Sequence, residues 1–218
     1  MSSDNPFGAD NQQGSPRNLP IDCRVTPQRL HAELLTAGKM GLEAYLQGAF
    51  CDGTYSYHHR TYRFSQADIW WLQVFQDALA ILGHRSWIYR EGRDRELCVL
   101  ETSAHFLAEA LNYSLLVGTP AGIHYVRGYF DADGGIPRHV GARFYVQICQ
   151  KNRASLENVM TILEGNGIIC GRIHNPSIRV DPYYWRFYVR TESHMLFLRD
   201  VSSWHPIKRW QMDIRMKI

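Results

Sequence analysis

The stretch His124–Pro137, HYVRGYFDADGGIP, decides how the rest of the chain is read. An aromatic and aliphatic run containing a glycine ends abruptly in two aspartates and a glycine pair. A helix that only fills a core rarely finishes with carboxylates at its buried end. The stretch gains meaning from a second copy, AYLQGAFCDGTYS, at 44–56. Each copy has the form aromatic–aliphatic–x–Gly–x–Phe, succeeded by one or two residues and then Asp-Gly.

The segments C-terminal to the two copies repeat as well. RTYRFSQ (60–66) is matched by RFYVQICQ (143–150), alternating strand-like residues that close on Gln66 and Gln150. Amphipathic helices are expected next, at 68–82 and 153–163. Hairpin signals succeed them, at 86–102 with a turn at 91–94, and at 168–191 with a turn near 175–182. TSAHFLAEAL (102–111) then parallels TESHMLFLRDV (191–201) as a closing helix. The offset between copies is nearly steady, 81 residues from Asp52 to Asp133, 84 from Gln66 to Gln150 and 89 from His105 to His194. The chain is therefore expected to be α+β, two pseudo-symmetric αββαββα repeats, each a curved antiparallel sheet backed by helices. The expected boundaries are a disordered polar tail at 1–25, a first repeat at 26–117 and a second at 118–218.

Composition narrows the class. A hydrophobic share of 45% and an aromatic share of 12% fit a globular protein. No apolar run is long enough to cross a bilayer, and the N-terminus lacks the basic-then-apolar pattern of a signal peptide. Five scattered cysteines without CxxC spacing argue for free thiols, an intracellular setting and no zinc module. The net charge is only +3, yet 20 of the 24 cations are arginine. Arginine's planar fork suits phosphates and guanine edges; a GC-rich genome gives the same bias, and both readings stand. Each sheet is expected to have one dry face and one recognition face. The candidates for the latter are Tyr55, Tyr57, His59, Thr61 and Arg63 in the first repeat, and Arg138, Arg143, Tyr145 and Gln147 in the second.

VRGYFDADG (126–134) resembles the nine-residue signature of the LAGLIDADG homing endonuclease family, and the duplication strengthens the likeness. The first motif, 45–53, is a degenerate copy. In such a pair, Gly48 and Gly128 let two helices cross with their backbones nearly touching, and the helices end together. Two carboxylates brought close repel unless a cation lies between them. The resemblance makes the acid before the final glycine the metal ligand, which is Asp133. Asp131 is expected to face solvent or to cap the helix end. Aligned on glycine, the first copy puts Gly53 on Asp133; aligned on its Asp-Gly end, it puts Asp52 there, and the second alignment is preferred because catalysis needs an acid.

The resemblance further implies a monomeric, metal-dependent endonuclease that cuts both strands of a long double-stranded DNA site. Mg²⁺ would serve, Mn²⁺ could substitute and Ca²⁺ would be non-catalytic. Gln66 and Gln150 would order water near the scissile phosphate, Lys208 would stabilise developing charge, and Lys151 and Arg153 would meet DNA. A non-catalytic binder on the same scaffold, an intron maturase or a DNA-binding regulator, is the alternative. His58, His59 and His139 lack a second ligand pair, and an apparent calcium loop starting at Asp131 lacks its later acid, which is Ala142.

Overall fold

A computed structural model describes residues 27–67, 69–92, 97–139 and 141–216. The expected tail at 1–25 lies outside the described residues, as does half of the predicted turn at 91–94. Buried residues spaced three and four apart, Leu42, Tyr45, Leu46 and Ala49, give the first long helix one dry stripe. That helix, α1 (Pro27–Ala49), is interrupted at Gly38, whose φ of 64° is a left-handed conformation. A short 3₁₀ turn, Phe50–Asp52, continues it. Next along the chain are the strands β1 (Thr54–Ser56) and β2 (Thr61–Gln66), helix α2 (Ile69–Ile81) and strands β3 (Ser86–Glu91) and β4 (Leu97–Thr102). The strands form one antiparallel sheet of order β1-β2-β4-β3.

The second half repeats this plan with changes. Helix α3 (Pro120–Asp133) starts with Pro120 at its first turn and Thr119 as N-cap, whose hydroxyl accepts from the Gly122 amide at 3.1 Å. Then come β5 (Gly134–Gly135), β6 (Gln147–Gln150), α4 (Arg153–Gly165), β7 (Trp185–Tyr188), α5 (His194–Asp200) and α6 (Pro206–Met216). The sheet order is β5-β6-β7, all antiparallel.

Three expected elements are shorter than the sequence implies, the strand expected at 143–150 being only Gln147–Gln150. The closing helix of the first repeat, expected at 102–111, is only a 3₁₀ turn, His105–Ala108. Its register buries a single residue, Leu107, too little apolar surface to hold a longer helix. The outer strand of the last hairpin reduces to two isolated bridges, Cys170–Val189 and His174–Arg186. The connection from His174 to Arg186 carries an Asx-type turn, with the Ser177 amide donating to Asn175 Oδ1 at 2.8 Å.

There are two cores. One holds Leu42, Tyr45, Leu46, Trp71, Phe75 and Leu100; the other holds Val126, Tyr129, Phe130, Ile148, Val159 and Phe187. Each borrows from the other half: Trp204 packs in the first core and Ala44 in the second. Of the tryptophan pair, Trp71 is buried and Trp70 is 53% exposed, so the expectation that at least one is core is met. Cys51, Cys98, Cys149 and Cys170 are free thiols, and Cys23 lies outside the described residues. Among the described residues no helix is long and apolar enough to cross a membrane.

Candidate functional site

The two halves meet where α1 crosses α3, and the crossing is made of glycine on both sides. A Cβ on Gly48 would lie 2.0 Å from the Tyr125 carbonyl oxygen; one on Gly128 would lie 1.9 Å from that of Tyr45. These contacts are reciprocal, pairing Tyr45 and Gly48 with Tyr125 and Gly128. Only hydrogen fits at either point.

Beyond the crossing the copies differ by one residue, and the backbone absorbs it. Gly134 N–H donates to the Phe130 carbonyl, an α-helical span, while Gly53 N–H donates to the Phe50 carbonyl at 2.8 Å, a 3₁₀ span. A turn with three residues instead of 3.6 shortens the first helix end. Both terminal glycines then stack on the equivalent phenylalanine, where a Cβ on Gly53 would meet the Phe50 ring at 2.1 Å and one on Gly134 the Phe130 ring at 2.0 Å. This makes Asp52 the counterpart of Asp133. The hydrogen bonds agree: Gln66 Nε2 donates to Asp52 Oδ2 at 3.4 Å and Gln150 Nε2 donates to Asp133 Oδ2 at 2.5 Å.

The two helix ends converge. The Cys51 thiol donates to Asp133 Oδ2 at 3.3 Å, and the Cys149 thiol to the Asp133 carbonyl at 3.1 Å. Burial raises the Asp133 carboxyl above its ordinary range, the Cys51 hydrogen bond opposes this, and the charge of Asp52 raises it again. Burial also raises Asp52, with Gln66 opposing. Burial and the adjacent Asp133 push the Cys51 thiol up, so it stays a neutral donor.

A divalent cation fits this donor set. Two carboxylates repel across the crossing, and no lysine or arginine forms an ion pair with either among the described residues. No group of three or more His, Cys, Asp or Glu converges among the described residues, so the protein offers no complete cage. Mg²⁺ needs none, because it keeps several waters and takes substrate phosphate oxygens as ligands.

Lys208 and Gln150 both make contacts at the end of α3. The Lys208 ammonium donates to the carbonyls of Phe130, Asp131 and Gly134 at 2.7, 2.8 and 2.7 Å. All three protons serve to cap the C-terminus of α3. Burial lowers it to about 8, with Asp131 and Asp133 pulling the other way. Gln150 holds the acid through Nε2, and its Oε1 accepts from the Lys151 amide at 2.7 Å.

Asp131 does not face solvent; it is 1% exposed. Its carboxylate accepts from Tyr45 Oη at 3.0 Å, from the Trp204 and His205 amides at 2.9 and 3.1 Å, and from Ser203 Oγ. It caps the segment leading into α6, tying that segment to both crossing helices. No sequence signal announces this latch, because the 201–216 segment has no copy in the first repeat. Arg209 extends it by pairing with Glu33 at 3.1 Å. Arg215 donates to the carbonyls of Ala142 (2.9 Å) and His139 (2.5 Å), bracing the loop after β5.

The expected recognition residues divide. Tyr57 (87% exposed) and His59 lie on the β1–β2 turn, with Tyr55 beside them at 5.1 Å from the Tyr57 ring. Arg138, Arg143 and Lys151 are exposed, Tyr145 is partly so, and Gln147 donates to Tyr184 Oη at 3.2 Å. Arg153 pairs with Glu157 at 2.9 Å and lies 5.1 Å over the Trp185 ring. Arg63 is not free for a ligand, because its Nη2 donates to Glu91 at 2.7 Å and its Nε lies 3.1 Å from Glu101.

A cavity of about 390 Å³ lies on the same helix pair away from the acids, beside Thr36, His124, Arg127 and Trp204. The Arg127 guanidinium in its wall is spent on the carbonyls of Val201 and, at 3.0 Å, Asp200, closing the end of α5.

Residues 123–199 match the family model described as a LAGLIDADG-like domain. The chain carries a LAGLIDADG-like domain. Its overall fold is the LAGLIDADG fold, shared with solved structures of low sequence identity. The homing endonuclease I-DmoI, solved in complex with DNA and Mn, is 20% identical with a TM-score of 0.57, over 75% of this chain and 97% of that one. Full-length DUF199/WhiA from Thermatoga maritima is 14% identical with a TM-score of 0.60, over 88% and 66%. The N-terminal LAGLIDADG domain of DUF199/WhiA is 15% identical with a TM-score of 0.58, over 82% and 90%. No curated protein sequence matches.

Proposed function

We propose that the protein is a site-specific DNA endonuclease of the homing type, acting as a monomer on double-stranded DNA. Its two repeats, 26–117 and 118–218, would each address one side of the target. One observation carries the reading: Asp52 and Asp133 are held at the ends of two helices that cross through Gly48 and Gly128, each by a glutamine from the strand pair next in the chain. Both glutamines bind Oδ2, which fixes each carboxylate's rotation and leaves Oδ1 available. Asp52 and Asp133 would hold divalent metal, Mg²⁺ or Mn²⁺. When bound, it supplies Lewis-acid stabilisation of phosphodiester oxygens and an activated water. The chain's own part is positional. The glycine crossing sets the spacing of the two acids, Lys208 neutralises the carbonyl end of α3, and Cys51 donates to Asp133 as an uncharged thiol.

The test is incubation with the DNA flanking its gene, and with a plasmid library, in Mg²⁺ and then in Ca²⁺. Specific double-strand cuts in Mg²⁺ and binding without cuts in Ca²⁺ are expected. Tight binding with no cleavage in any divalent ion would instead favour a non-catalytic DNA binder. The shortened first motif, with Cys51 standing opposite Asp133, is the observation that favours that second reading.

A further inference from the structure

The exposed faces of the two sheets differ in charge. On the N-terminal sheet the outward register places Arg63, Glu101, Tyr89 and Glu91 together. Glu101 is 4% exposed and accepts from Thr61 Oγ1 at 3.1 Å and Tyr89 Oη at 2.6 Å, with Arg63 Nε at 3.1 Å. Arg63 also donates to Glu91 at 2.7 Å and to Tyr89 Oη at 3.1 Å. Two carboxylates face one guanidinium, and the network closes over itself.

The C-terminal sheet has no acid in its strands, which read GG, QICQ and WRFY. Arg186 lies 5.3 Å over the Tyr188 ring, with its Nε 3.4 Å from His174 Nε2. No carboxylate lies within ion-pair distance of it among the described residues. His174 stacks on Tyr188 at 6.2 Å and 26°, and Tyr145 meets the same ring edge-on at 5.9 Å.

We infer that the protein reads nucleic acid asymmetrically: the C-terminal sheet, through Arg186, Tyr188, Tyr145 and Gln147, recognises bases, and the face of the N-terminal sheet around Arg63 does not. This rests on the DNA binding proposed above and assigns it to one half. A guanidinium reads a guanine edge by presenting two free donors. Arg63 is held by two carboxylates, its Nη2 donating to Glu91 and Tyr89 and its Nε facing Glu101, and withdrawing it would strand the buried Glu101 carboxylate. The surplus carboxylate also repels phosphates. Arg186 has no carboxylate within ion-pair distance among the described residues and lies over the Tyr188 ring at 5.3 Å, which pre-orients it. The turn at Tyr57–Arg60 is left for backbone contacts, which position without specifying sequence.

The test selects bound duplexes from a randomised library with the full chain in Ca²⁺, then measures affinity by fluorescence anisotropy for R186A, R63A and E91Q, with melting curves alongside. One strongly constrained half-site is expected, with R186A weakening binding about tenfold. R63A should change affinity less than about threefold where it folds, and E91Q, a partly exposed carboxylate, should bind as well as wild type or more tightly. Equally constrained halves, or a tenfold loss in E91Q, would overturn the asymmetry while leaving DNA binding intact. A library yielding no enriched duplex would overturn both.

Discussion

Gly128→Ala places a methyl group 1.9 Å from the Tyr45 carbonyl oxygen, with the Ala49 amide nitrogen at 2.9 Å. Both neighbours are backbone, so no side chain can rotate away. An ordinary contact needs about 3.4 Å, so the helices must part by more than an ångström or one must bend. Overpacking of this kind costs about 3 kcal/mol, the upper end of its usual range. Alanine's better helix propensity returns about 1 kcal/mol. The net loss is about 2 kcal/mol, a fall in Tm of about 4–8 °C for a chain this long. Differential scanning calorimetry of G128A and G48A measures it. Gly135→Ala is the control, since nothing lies within 4 Å of a Cβ there. A G128A variant melting within 1–2 °C of G135A would refute the backbone crossing.

Asp131→Ala strands four donors in a dry site and should cost about 3–5 kcal/mol in urea unfolding. Asp131→Asn can still accept through one oxygen and should cost about 1–2 kcal/mol. Acid should destabilise the fold through two histidines. Burial and Arg127 lower His124 to about 4, and burial and Lys208 lower His205 to about 3. Each Nδ1 is in hydrogen-bond contact with a donor, from Arg127 at 3.0 Å and from the Ile207 amide at 3.3 Å, so protonation breaks it. The unfolded chain therefore binds more protons below the ordinary histidine pKa, and stability present above about pH 6.5 drains as pH falls toward 4 and 3, by about 3 kcal/mol for His124 and about 5 kcal/mol for His205. Asp131 and Asp133, raised by burial, oppose this, so the double variant H124N/H205N should flatten the slope or reverse it in a pH series of melts.

Much of the site was legible because the chain says it twice. The Gly-x-Phe spacing located the crossing, and the shared Asp-Gly end identified Asp52 despite a missing residue. The 3₁₀ turn that reconciles the two registers is a backbone adjustment with no residue signature. Other roles depend on partners distant in sequence. Nothing local announces that Arg63 pairs with Glu91 and Glu101, or that Lys208 points at carbonyls 74 to 78 residues away. Asp131 looked like a second motif acid, and only the unrepeated segment before α6, together with Tyr45, gives it its donors. The first repeat's closing helix fell short because amphipathic pattern predicts a helix only where a core receives it.

The equivalence of Asp52 and Asp133 is tested most directly by strand-specific cleavage of an end-labelled target duplex in Mg²⁺. Wild type should cut both strands, and D52N and D133N should each abolish double-strand cleavage while still binding DNA in Ca²⁺. If D52N cuts both strands at the wild-type rate, the register that makes Asp52 the partner of Asp133 is wrong.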